Sequence, residues 1–148
     1  MSLKDSKVLV IGGCGFVGSN LCIELLSNDV KEITVVDNLL SSEIQNLPKS
    51  DKIKFVLGSI SDDKILYSLD KNYDYIFHLA TYHGNQSSIK NPLEDHDNNT
   101  ITTLKICEYF KDSENLKKLV YASAGCVVAK KTYDEPDATA EDASISLY

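Results

Sequence analysis

Five short apolar runs alternate with segments of helical spacing, and this alternation restricts the fold more than any other feature of the 148 residues. The runs are Lys7–Gly12, Glu32–Asp37, Lys52–Leu57, Tyr73–His78 and Lys118–Ala122. Each is nearly continuous in apolar and β-branched residues, the composition of a strand covered on both faces. Between them, Phe16–Leu26 sets Val17, Leu21, Cys22 and Leu25 along one stripe. Asp62–Leu69 opens on two acids, which suit a helix N-terminus, and carries Ile65, Leu66 and Leu69. Asp95–Phe110 spaces Ile101, Leu104, Ile106 and Phe110 at three- and four-residue steps. Strands that alternate with helices build βαβ units, so the expected class is α/β, a doubly wound parallel sheet with helices on both faces.

Composition narrows what such a sheet serves. A net charge of −7 argues against a nucleic-acid or anionic membrane surface as partner. Phosphate-bearing ligands stay open, because backbone amides alone can hold them. Cys14, Cys22, Cys107 and Cys126 form no CxxC pair and read as reduced thiols of a cytoplasmic protein without a disulfide or metal framework. No segment has the length and apolarity of a bilayer span or the layout of a signal peptide.

The first run leads into GGCGFVG, with Gly12, Gly15 and Gly18 three residues apart. Gly12 lets the chain turn sharply out of the strand. Gly15 leaves room for a pyrophosphate against the backbone, and Gly18 lets the helix pack close to the sheet. The helix N-terminus then aims free amides at the phosphates. Asp37 ends the second run, 19 residues after Gly18. A carboxylate there accepts ribose hydroxyls and repels a 2′-phosphate, and the following NLLSS holds no Arg to neutralise one. The cofactor expected is therefore NAD rather than NADP. The competing reading is a tight structural turn beside a solvated acid.

Ligands of open α/β sheets lie beyond the carboxyl ends of strands. Leu79, Ala80 and Thr81, after the fourth run, would lie against the cofactor. His78 suits a packed strand end better than a catalyst, while His83 suits a phosphate contact and a plain loop equally. The Asp97–Asn98–Asn99 cluster can cap a turn or bind a ligand. The fifth run ends in YASAG, small and hydroxylated, as either a catalytic hydroxyl or close packing requires.

GGCGFVGSNL, VVDN, FHLAT, DNNTITTL and VYASAG, in this order and spacing, resemble the extended short-chain dehydrogenase/reductases, the NAD-dependent epimerases and dehydratases of nucleotide sugars. The resemblance runs from Lys7 to about Asp142 and implies a Rossmann-type fold. It implies that Gly12, Gly15, Phe16, Val17 and Gly18 form the dinucleotide loop and that Asp37 and Asn38 bind the ribose. Ser59 and Ile60 stand at the adenine, where the family usually has Asp before an apolar residue. Leu79, Ala80 and Thr81 would run under the nicotinamide ribose, with His83 at a position held by Lys in some members and Asn98 near the cofactor. The family's catalytic Ser or Thr follows the fifth strand. Here Ala124 takes that place: either Ser123 beside it substitutes after a small shift, or the hydroxyl role is lost or borne elsewhere. The family's Tyr-x-x-x-Lys follows on the next helix. Tyr148 is a candidate for that Tyr, although it does not follow the usual Ser-Pro pair.

These implications define an expected organisation. Residues 1–125 form the NAD-binding core. Residues 126–148 form an acidic loop leading to a missing catalytic helix and substrate lobe, so the fold is truncated and the fragment inactive. The expected function is nucleotide-sugar epimerisation, by transient oxidation and return of hydride, with a nucleotide-sugar substrate and a homodimer in the longer protein. Gly125 and Cys126 replace the acidic pair of dehydratases and favour an epimerase. Alternatives are a dehydratase, a carbonyl reductase of the same fold, or a non-catalytic NAD-binding scaffold.

Overall fold

The computed structural model describes residues 3–82 and 89–123. Five parallel strands form one sheet in the order β3-β2-β1-β4-β5. They are β1 (Lys7–Ile11), β2 (Glu32–Asp37), β3 (Ile53–Leu57), β4 (Tyr75–His78) and β5 (Lys118–Tyr121). Helix α1 (Phe16–Ser27) links β1 to β2, and α2 (Asp63–Ser68) links β3 to β4. Between β4 and β5, α3 (Pro92–His96), a π-helical turn (Asp97–Ile101) and α4 (Thr102–Phe110) follow one another without a break. This is the Rossmann-type arrangement expected.

Alternation along β1 feeds two cores. Leu9 and Ile11 point to one face, where they meet Leu66 and Leu69 from the α2 region and Ile106 and Phe110 of α4. Val8 and Val10 point to the other, against Cys22 and Leu25 of α1. All four β1 side chains are buried, because β1 is central and covered on both sides. Burial of one such side chain contributes roughly 1.5–3 kcal/mol, and the two faces share that gain.

Two expectations from the apolar pattern need correction. The outermost strands, β3 and β5, are only half-covered, with Leu57 and Tyr121 exposed. Each lacks a hydrogen-bonded neighbour on one side among the described residues, so a run of apolar residues did not mean burial on both faces. The helical stripes also shift. α1 buries Gly18, Ser19, Cys22 and Leu25, while Val17 is exposed at the cleft. α4 buries Thr102, Ile106 and Phe110, and Leu104 faces outward. The helix start expected at Asp62 is as read: its Oδ1 accepts from the Lys64 amide at 2.9 Å.

The opposite edge of the sheet from the ligand end is held by Asp74. Its carboxylate accepts from the Lys7 amide and from Lys117 Nζ, each at 2.8 Å. Its backbone N–H donates to Lys7 O at 2.8 Å, and its carbonyl accepts from the Lys117 amide at 2.8 Å. One residue thus sets the starting register of β1, β4 and β5. Burial pushes the Asp74 carboxyl up, but the bonds from Lys117 and Lys7 outweigh it and hold it below its ordinary value of 3.8. A carboxylate depressed in the folded state contributes stability that is present above that ordinary value and is lost as pH falls through the folded one. Asp74→Asn should therefore lower the unfolding free energy at pH 7 by about 1–3 kcal/mol. It should also blunt the loss of stability below about pH 4, and urea titrations across that pH range would check both.

Candidate functional site

A cleft of about 280 Å³ opens at the carboxyl ends of the strands. The chain places it there by topology. From β1 the chain moves outward to β2 and β3, then returns to lay β4 on the other side of β1. The loops leaving β1 and β4 therefore diverge and leave a crevice between them.

The loop from Gly12 to Gly18 forms the near wall. Gly12 sits at φ +83, and a Cβ there would lie 2.5 Å from the Ala80 amide nitrogen. Only glycine lets β1 end this close to the exit of β4, whose Leu79 and Ala80 amides both donate to the Ile11 carbonyl, at 2.8 and 2.9 Å. At Gly18 a Cβ would stand 2.3 Å from the Gly12 carbonyl oxygen, so the first turn of α1 rests directly on the loop. Gly15 differs. Its nearest contact for a Cβ is Gly12 O at 3.5 Å, which leaves open space on the cleft side. Gly15 is also the N-cap of α1 and provides no side-chain hydrogen bond to the first turn. The helix therefore presents uncapped amides to an open cradle, the arrangement that fits a phosphate.

Asp37 closes the loop from the other side. It is buried, and its Oδ2 accepts from the Cys14 amide at 2.9 Å. Its Oδ1 accepts from the Leu39 amide and from Ser42 Oγ, both at 2.9 Å. A carboxylate offers about four acceptor positions. Three are used within the protein, which leaves one on Oδ2 for a ligand rather than the pair a ribose would engage. Asn38 lies exposed beside it. The Cys14 carbonyl in turn accepts from Asn46 Nδ2 at 2.9 Å, which ties the loop after β2 to the glycine loop. Burial, and secondarily the charge of Asp37, push the Cys14 thiol up to about 11. Burial, then Cys14, push Cys22 up to about 12. Both stay as thiols at neutral pH and serve as small core residues.

The far wall is the segment Leu79–Tyr82. The π-helical turn holds it there. Asn99 Oδ1 accepts from the Tyr82 amide at 2.8 Å and from Thr81 Oγ1 at 3.3 Å, and its Nδ2 donates to Tyr82 O at 3.1 Å. Neighbouring residues on this turn hold different segments. Asn99 grips this wall, while Asn98 lines the cleft and anchors back to Glu94 O at 2.8 Å. His78 lies on the floor, buried, with its ring centroid 5.5 Å from that of Tyr121. Burial pushes its imidazole below the ordinary histidine range, so it is neutral at pH 7. Its Nδ1 finds no partner among the described residues.

The residues singled out from the sequence converge on this one cleft. Gly12, Gly15, Phe16, Val17 and Gly18 line one side, and Asp37 and Asn38 lie at the end of β2. Ser59 and Ile60 lie at the exit of β3, with Leu79, Ala80, Thr81 and Asn98 opposite. Ser123 is exposed just past β5 and does not line the cleft. His83, Ala124 and Tyr148 lie outside the described residues. Sequence reasoning passed over Gly13, Cys14 and Asn46 as site residues, and it left Asn99 undivided from its neighbours in the Asp97–Asn98–Asn99 cluster. Gly13 carried a signal, since it lies inside the glycine run; a Cβ there would meet Val35 Cγ1 at 2.6 Å. Among the described residues no cluster of His, Cys, Asp or Glu could hold a metal ion, and no helix is long and apolar enough to cross a membrane.

A glycine cradle on an uncapped helix, an acid at the end of the second strand and a crevice at the reversal of strand order define a dinucleotide-binding α/β protein. Comparison narrows the class: the NAD dependent epimerase/dehydratase family matches residues 8–148, and the chain belongs to that family. The chain is 30% identical over 131 residues to a putative UDP-glucose 4-epimerase of Methanocaldococcus jannaschii, covering 88% of this chain and 40% of that one. It is 30% identical over 128 residues to a UDP-glucose 4-epimerase sequence of Klebsiella pneumoniae, covering 82% and 91%. Among solved structures, the Bordetella bronchiseptica enzyme WbmF in complex with NAD+ superposes with a TM-score of 0.80 at 52% identity, covering 92% of this chain and 42% of that one. The epimerase Mth375 of Methanothermobacter thermautotrophicus gives 0.80 at 39%, covering 86% and 38%. The chain thus spans about two fifths of the length of the Methanocaldococcus relative and of both solved structures.

The glycine geometry separates structural from ligand roles. Gly18→Ala should lower the unfolding free energy by about 1–3 kcal/mol, because backbone must move to admit the methyl group. Gly15→Ala should stay within about 0.5 kcal/mol of the parent, since nothing obstructs its Cβ. Chemical denaturation of the two variants would test the contrast.

Proposed function

We propose that this chain is the NAD-binding portion of a nucleotide-sugar epimerase. The observation that carries the reading is the open cradle at Gly15 over the uncapped N-terminus of α1, with Asp37 bonded to the same loop through the Cys14 amide. The cradle takes the pyrophosphate on backbone amides, in keeping with the absence of any basic side chain from Gly12 to Gly18. Asp37 accepts one adenosine ribose hydroxyl on its free Oδ2 position, and Asn38 is placed for the other. The same carboxylate would repel a 2′-phosphate, which favours NAD over NADP. Leu79, Ala80 and Thr81 form the wall along the nicotinamide ribose, held in place by Asn99.

When bound, NAD supplies the hydride acceptor that oxidises a sugar carbon and the donor that later reduces it. The groups expected to move the sugar's proton, Ser123 and a Tyr-x-x-x-Lys for which Tyr148 is a candidate, belong to or follow the segment after β5. Support for the sugar nucleotide comes from the relatives: WbmF is solved with NAD+ and UDP, and the Methanocaldococcus and Klebsiella proteins are named as UDP-glucose 4-epimerases. The same reading keeps residues 1–125 as the dinucleotide unit and 126–148 as the lead into a substrate lobe. It also keeps a homodimer through the helical run Asp95–Phe110, on which Leu104 is exposed. Cys14, Cys22 and Cys107 are free thiols, in keeping with a reducing compartment such as the cytoplasm.

The test uses the intact protein. Gly15→Ala should weaken NAD binding about tenfold or more, measured by calorimetry, while leaving the unfolding transition in place. Incubation with UDP-sugars should give inversion at C4 by NMR with no net NADH. Steady NADH without inversion for any sugar would sink the epimerase reading and favour a reductase.

A further inference from the structure

We propose that Asn46 is a positioning residue for the dinucleotide: its side-chain amide holds the peptide between Cys14 and Gly15 so that the Gly15 N–H is presented to a phosphate. The inference rests on the reading of the cleft as a dinucleotide site and adds to it a residue that does not line the cleft.

Cys14 stands between Gly13 and Gly15. Neither neighbour carries a Cβ, so sterics restrain the two peptides that flank Cys14 less than elsewhere in the chain. Hydrogen bonds supply the restraint instead, one on each peptide. The Gly13–Cys14 peptide donates its N–H to Asp37 Oδ2 at 2.9 Å. The Cys14–Gly15 peptide accepts on its carbonyl from Asn46 Nδ2 at 2.9 Å. Neither bond can run the other way, since a backbone N–H only donates and a backbone carbonyl only accepts. The same fact orients the Asn46 amide, whose nitrogen has to face Cys14.

The second bond bears on the ligand because the peptide is planar and trans. Cys14 O and the Gly15 N–H lie on opposite sides of one rigid unit, so drawing the carbonyl toward Asn46 turns the N–H away from the loop after β2. Gly15 lines the cleft, and its N–H donates to no backbone carbonyl among the described residues. That amide stands at the open cradle over the N-terminus of α1, where an anion is favoured.

Asn46 is itself held in place. It ends the 3-10 turn Ile44–Asn46, in which its N–H donates to Glu43 O at 3.0 Å and the Leu47 N–H donates to Ile44 O at 3.1 Å. Leu47 then packs against the core on the α1 side of the sheet. The Asn46 residue is exposed, so changing its side chain removes the bond to Cys14 without opening the core.

Calorimetric titration of the intact protein with NAD+ and with ADP tests this. Asn46→Ala should weaken both about fivefold, while the variant keeps one cooperative unfolding transition. Asn46→Asp keeps the size but sets an acceptor against the Cys14 carbonyl, and it should weaken both about tenfold or more. Cys14–Gly15 is the one Cys-Gly pair among the 148 residues, so cysteine labelled with carbon-13 at its carbonyl, together with glycine labelled with nitrogen-15, selects the Gly15 amide by NMR. Saturating ADP should move that amide proton downfield in the parent, and much less in Asn46→Ala. A purely structural Asn46 would leave the response of Gly15 intact. Affinities of both variants within about twofold of the parent overturn the proposal, as does a Gly15 amide that bound ADP leaves unmoved in the parent. Binding of neither NAD+ nor ADP to the parent overturns the cofactor reading, and this inference with it.

Discussion

The bond from the Cys14 amide to Asp37 Oδ2 is the interaction on which the site depends. It joins the middle of the glycine loop to the end of β2, so the loop and the strand end are tied directly together. A hydrogen bond to a buried carboxylate is charge-assisted and stronger than a neutral one. The same carboxylate also receives Leu39 and Ser42, which brings the loop after β2 over the cleft. Asn46 completes the closure by bonding the Cys14 carbonyl. Three acceptor positions of one side chain are therefore spent on loop structure.

Across the cleft a second polar residue has the same job. Asn99 spends both ends of its amide on Tyr82 and Thr81, and so fixes a wall that has no regular secondary structure. At the opposite end of the strands, Asp74 sets register by the same means. The fold therefore uses apolar burial for the two cores and a few multiply bonded polar side chains to place its irregular segments. Unpaired, such buried groups would cost the full desolvation of each, so they specify position more sharply than apolar contacts do.

The strands, the order of the elements and most of the cleft were legible in the sequence. Apolar runs, helical spacing and the glycine register are local patterns, and each is imposed by backbone geometry within a few residues. Side-chain orientation was less legible. Val17 and Leu104 fit an apolar stripe by spacing, yet both are exposed, because the helix is rotated by its contact with the sheet. At α1 that contact is set by Gly18 resting on the loop, not by the largest apolar residues. The edge strands β3 and β5 were read as doubly covered because hydrophobic content does not report a strand's place in the sheet.

By itself the sequence determined that this chain would form a parallel α/β sheet with a glycine turn after the first strand and an acid at the end of the second. Those are properties of short segments. Only the tertiary structure decided what the polar side chains have left to offer. Asp37 had to be seen with its three partners before it could be counted as one free acceptor. Asn99 had to be seen 18 residues from Thr81 in sequence, yet bonded to it, before it could be separated from its neighbour Asn98. Hydrogen-bonding capacity is finite and is spent between segments far apart in the chain, so its remainder at a site is fixed only when the chain has folded.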